Sequence, residues 1–142
     1  MTAVLLASAQ AWTPASKVSG SGLSMSRKRC TALQGMKDLG SEGDFDKAVK
    51  DAGDSLMVVD FATTWCGPCK VMEPKMNAMS EEYTDAIFYK VIGDSSAEAS
   101  SLMKREGVRA VPSFHFWKNG EKVDVVNGAN IEAVTSNVQK YL

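Results

Sequence analysis

The sequence predicts an α/β fold: a central mixed sheet, parallel strands plus a C-terminal antiparallel hairpin, with helices on both faces. Three observations predict it. Residues 38–142 alternate short apolar runs with stretches whose apolar residues recur at helical spacing, so strands are joined by helical crossovers and pair in parallel. Two strand-like runs near the C-terminus are separated only by Asn119-Gly120, the dipeptide of a two-residue type I′ hairpin, which makes that pair antiparallel. The chain has 142 residues, 44% apolar and 23% charged, which suits one domain with a real core.

Each element has its own signal. Residues 44–52 place Phe45, Ala48 and Val49 on one helical face, with Asp44 positioned to cap the start. Residues 56–62 are apolar except for Asp60 and read as a strand buried on both faces. From Cys66 to about Thr84, Met72, Met76, Met79 and Tyr83 mark one face of a long helix, read as core, and Pro74 inside it predicts a kink. Residues 87–92 form a second strand. Ser95 or Ser96 caps a helix running to Glu106 that buries Ala99, Leu102 and Met103 and ends at Gly107. Residues 113–118 and 121–126 make the hairpin, with Trp117 read as core and His115 as a satisfied or exposed strand residue. Asn130 caps a last helix whose core face is Ile131, Val134, Val138 and Tyr141.

The first part of the chain differs from the rest. Residues 1–37 carry Lys17, Arg27, Lys28, Arg29 and Lys37 and no acid, so residues 38–142 hold eleven basic and seventeen acidic residues. The basic stretch is rich in hydroxyls and has no amphipathic period, which predicts a disordered leader over residues 1–35 and a folded domain over 36–142. Residues 3–7 are a short apolar run, and Ala7-Ser8-Ala9 and Ala9-Gln10-Ala11 fit a cleavage site, so residues 1–11 read as a signal peptide. Residues 12–35 read as transit-like. Ala9-Gln10-Ala11-Trp12-Thr13-Pro14 resembles the junction motif of the bipartite leader of plastid proteins in algae with secondary plastids. That resemblance implies a plastid stroma address; simple secretion and a cytoplasmic protein with an uninformative tail are the alternatives. Cys30 would leave with the leader.

Composition excludes several classes. A net charge of −1 gives no electrostatic footprint for nucleic acid, and three basic residues at 27–29 are too few for a patch. No apolar run reaches the roughly 18 residues needed to span a bilayer, so no membrane partner is expected for the mature form. Three cysteines are too few for a disulfide scaffold.

The chemistry lies at one turn. Trp65-Cys66-Gly67-Pro68-Cys69-Lys70 stands where a buried strand gives way to a helix, and a C-x-x-C there reads as a dithiol redox site. Cysteines three apart in a first helical turn lie within disulfide reach. The first sulfur also faces unpaired N–H groups and the positive end of the helix dipole, which favours its thiolate. Pro68 stiffens the turn. A zinc site needs four ligands; the folded part offers only Cys66, Cys69 and His115, so no metal is expected. Asp60, in an apolar strand six residues earlier, reads equally as a hydrogen-bonded structural acid or as a proton acceptor with a raised pKa.

Residues 58–70, from Val58 to Lys70, resemble the active-site signature of the thioredoxin family, and Val111-Pro112-Ser113-Phe114, Lys118-Asn119-Gly120 and Gly128 match its later landmarks. The resemblance covers about residues 36–142 and implies the thioredoxin fold. It implies that Cys66 is an exposed nucleophile, Cys69 a buried resolving thiol, and Asp60 the buried carboxylate beside Cys69. Lys90 matches a lysine near that carboxylate; a solvated strand-edge lysine is the alternative. Pro112 matches a cis-proline opposite the cysteines, leaving the Val111 backbone to pair with an extended target. Trp65, Gly67, Pro68, Val111, Gly128 and Ala129 would complete a shallow docking surface.

The implied activity is reduction of disulfides in target proteins, with no cofactor beyond the Cys66–Cys69 disulfide. The implied partners are disulfide-containing targets and a ferredoxin-dependent or NADPH-dependent thioredoxin reductase, and the implied state is a monomer. An oxidase or isomerase of a secretory compartment and a non-catalytic binding subunit are the rivals. Departures exist as well. Ile92-Gly93 departs from the usual end of its strand, no cysteine follows Cys69 as in f-type members, and Lys70 replaces the arginine common in m-type members, so the body looks nearer to h-type.

Overall fold

The computed structural model describes residues 35–142. The expected leader up to residue 34, its cleavage sites, the 27–29 basic run and Cys30 lie outside the described residues. In chain order the elements are β1 (Lys37–Asp38), α1 (Glu42–Ala52), β2 (Met57–Ala62), α2 (Gly67–Glu82), β3 (Ile87–Ile92), α3 (Ala97–Arg105), β4 (Ser113–Lys118), β5 (Glu121–Asn127) and α4 (Ile131–Tyr141). The sheet order is β1-β3-β2-β4-β5. β1, β3 and β2 are parallel, and β2, β4 and β5 are antiparallel. The expected mixed sheet is present, with one strand that the sequence pattern did not show: β1 has two residues, too few for any period.

β2 is buried along its whole length because it lies mid-sheet with helices on both sides. Its alternating side chains divide the core. Val58 packs with Met72, Met76 and Met79 of α2, Phe114 and Phe116 of β4, and Val134 and Val138 of α4. Met57, Val59 and Phe61 face the other way, against Phe45 and Ala48 of α1 and Ala99 and Leu102 of α3. Each large apolar side chain so buried contributes about 1.5–3 kcal/mol. The methionine face of α2 is therefore core, as its spacing predicts. α2 continues through Pro74, which removes one backbone donor without ending the helix.

Helix starts follow hydroxyl and amide side chains. Ser41, not Asp44, caps α1: its Oγ accepts from the Asp44 N–H at 3.2 Å and donates to Asp44 Oδ2 at 2.8 Å. Ser96 caps α3 and Asn130 caps α4. The β4–β5 turn places Asn119 at φ 53° and Gly120 at φ 78°, the two positive values that a type I′ turn requires. β3 ends at Ile92 and is followed by Gly93. A Cβ on Gly93 would lie 1.6 Å from Met103 Sδ, so the departure at this position lets α3 pack close to the strand end.

Candidate functional site

The site forms where β2 ends and α2 begins. Cys66 is the N-cap of α2, with extended backbone, and its Sγ accepts the Cys69 N–H at 3.2 Å. Gly67 and Pro68 fill the first turn, where a missing proline N–H costs nothing. Cys66 and Cys69 are joined in a disulfide, S–S 2.13 Å and Cα–Cα 5.3 Å. The expected exposure of Cys66 is not met: it is 3% exposed and Cys69 5%. Ala62, Ile92 and Val111 pack around the pair. The exposed group is Trp65, at 74%.

The loop ahead of the cysteines is anchored. The Thr64 N–H donates to Asp94 Oδ1 at 2.9 Å, and the Thr64 hydroxyl donates to Asp94 Oδ2. Those bonds hold the Asp94 carboxyl below its usual range. Sequence reasoning assigned neither residue a role; they lie thirty positions apart.

Asp60 shares a strand face with Ala62, which packs on Cys69, and it is 1% exposed. Neither carboxylate oxygen has a hydrogen-bond partner among the described residues. Burial pushes the Asp60 pKa up to about 7, with Lys90 opposing the rise and Glu73 adding to it. Lys90 is the register partner of Asp60 on β3, but its Nζ pairs with Glu73 Oε1 of α2. Lys90 is thus not a solvated edge lysine. Glu73 was missed, although it stands one helical turn after Cys69, because its partner lies on a distant strand.

The remaining predicted residues gather on the same end of the sheet. The Val111–Pro112 bond is cis. The Gly128 N–H donates to Pro112 O at 2.8 Å, and Ser113 Oγ donates to Asn127 Oδ1 at 2.9 Å, so the ends of β4 and β5 are tied beside Val111. Gly128 has φ 87°, which a side chain would strain, and Ala129 is exposed. His115 and Trp117 are elsewhere, on the α1–α3 face. His115 is neither satisfied nor exposed: it is buried on the Phe61 ring and its Nδ1 has no partner. Burial lowers its pKa to about 4. Among the described residues no three His, Cys, Asp or Glu side chains are grouped to hold a metal ion.

A family model described as Thioredoxin matches residues 38–140. The chain belongs to the thioredoxin family. The thioredoxin of Geodia cydonium is 43% identical over 103 residues, 72% of this chain and 94% of that protein. The crystal structure of thioredoxin F from spinach chloroplast, short form, superimposes with TM-score 0.72 at 36% identity, covering 78% of this chain and 97% of that one. A chain of the ferredoxin:thioredoxin reductase and thioredoxin f2 complex superimposes with TM-score 0.69 at 34% identity, covering 75% and 94%. The architecture is the thioredoxin fold, and as a thioredoxin the chain is a protein-disulfide reductase whose site is a redox-active disulfide.

Proposed function

We propose that this thioredoxin reduces target disulfides through Cys66, with Cys69 as the resolving thiol and Asp60 as its proton acceptor. The observation that carries the order of roles is the Cys66 sulfur at the α2 N-cap, receiving a backbone N–H. A free thiol has a pKa near ~8.5, so about 3% ionises at pH 7; a helix N-terminus raises that fraction. The exposed Trp65 and the edge formed by Gly67, Pro68, Val111, Pro112, Gly128 and Ala129 receive the target, whose extended segment pairs with the Val111 backbone outside the β4 ladder.

The steps balance. Cys66 thiolate attacks one target sulfur; a Cys66–target bond forms, the target disulfide breaks, and one target thiolate leaves and is protonated. Cys69 gives its proton to Asp60 and attacks Cys66 Sγ. The Cys66–Cys69 bond forms, the second target thiolate leaves, and Asp60 returns the proton. The target gains two electrons and the chain is left oxidised. Replacing Cys69 by Ser should accumulate covalent target complexes through Cys66. If Cys66→Ser traps as many, the roles are wrongly assigned.

We read residues 1–35 as a plastid leader and the recharging partner as a ferredoxin-dependent reductase rather than an NADPH-dependent one. The acid-free leader and the likeness to a chloroplast thioredoxin support this. Residues 1–37 fused to a fluorescent reporter should carry it into plastids; a cytosolic or secreted reporter defeats the reading.

A further inference from the structure

Lys90 stands between two carboxylates. It pairs in register with Asp60 across neighbouring parallel strands, which lie about 4.8 Å apart. Its ammonium nevertheless binds Glu73, one turn beyond Cys69 on α2. Asp60 is buried with both oxygens unpartnered, while the Lys90 side chain is 17% exposed and that of Glu73 43%. The cation is thus drawn from the buried acid toward the surface. Among the described residues, Lys90 and Glu73 are the charged groups that act on Asp60. β1 places Asp38 beside Lys90 and β4 sets Phe114 opposite Asp60; on the same sheet face α2 carries Cys69, with Cys66 ahead of it, and α4 packs Val134 and Val138 with Val58.

We propose that Glu73 is a positioning residue for Asp60: by holding the Lys90 ammonium across the α2–β3 boundary, it withholds that cation from the buried carboxyl. The inference rests on the reading of Asp60 as the proton acceptor for Cys69. With the cation withheld, apolar surroundings govern the acid and keep it protonated well above the usual carboxylate range. Such an acid gives up and retakes a proton near neutral pH, where a proton acceptor is most effective. A freed Lys90 would instead stabilise the carboxylate and weaken it as a base.

The test is a carbon-13 NMR titration of the Asp60 carboxyl in the full chain, which needs no exchange activity. In Glu73→Gln the Asp60 midpoint should fall by about 1 pH unit. In Lys90→Met it should rise. Adding Glu73→Gln to Lys90→Met should move it less than half as far as in the unaltered chain, because only the direct charge effect is left. The pH profile of mixed-disulfide resolution should follow the midpoint. An unmoved midpoint in Glu73→Gln, or an equal shift with and without Lys90, overturns the proposal. Cys69→Ser trapping, run alongside, tests the reading of the site separately: an unmoved midpoint in a chain that still traps targets through Cys66 sinks only the role of Glu73.

Discussion

Asp60 is charged at a cost that the rest of the molecule must carry. Its carboxylate is buried and unpartnered, and Lys90, which is bound to Glu73, only partly offsets the cost of burial. Its pKa is 3.8 in an ordinary setting and about 7 in the fold. Between those values the unfolded chain has released a proton that the folded chain keeps, so stability falls as pH rises through this window. The neutral amide of Asp60→Asn has no such charge. The variant should be more stable by roughly 4 kcal/mol above pH 7, an advantage that vanishes below pH 4, read by denaturant unfolding at a series of pH values. An advantage that does not shrink on acidification would mean that packing, not charge, sets the cost. The same residue marks what the sequence made legible. A lone acid in an apolar strand announces itself, and so do two cysteines at helical spacing with Gly67-Pro68 between them. Glu73 and Asp94 do not, because their partners, Lys90 and Thr64, are brought to them only by the sheet.

At the scale of elements, legibility followed local chemistry. The central strands, the α2 face and the Asn119-Gly120 hairpin were readable because period and turn type depend on neighbours in sequence. β1 was not, since two residues have no period and exist as a strand only through Tyr89 and Lys90 of β3. The α1 start was misplaced by three residues because Ser41 and Asp44 act together. The serine accepts the amide and the acid answers the serine, and either alone looks like a cap. Gly93 looked like a fault in β3 and is a fit to Met103, a contact that belongs to the packing of α3 and that no local rule contains. The exposure of Cys66 was misjudged for a related reason: it depends on Ala62, Ile92 and Val111, which close over the disulfide only once β2, β3 and the β4 approach are assembled.

For the whole molecule, two buried groups on opposite faces of the sheet oppose each other in their response to pH. Asp60 lies on the α2–α4 face and favours the fold least when it must be charged. His115 lies on the α1–α3 face, and its pKa falls from 6.5 to about 4. Between those values the unfolded chain binds a proton that the folded chain refuses, so this group makes stability rise with pH. The two windows overlap from about pH 4 to 6.5, and over that range the rising and falling contributions cancel. The unaltered chain should therefore show nearly constant unfolding free energy from about pH 4.5 to about pH 6. Asp60→Asn alone should unmask a stability that climbs with pH, and His115→Leu alone one that declines. The double variant should be flat again and more stable than the unaltered chain at pH 7, since the buried charge of Asp60 and the unpartnered imidazole of His115 are gone. Urea unfolding of the four proteins across that range decides it. Parallel profiles for the two single variants would show that the faces do not titrate against each other, and that some other group governs how the fold responds to acid.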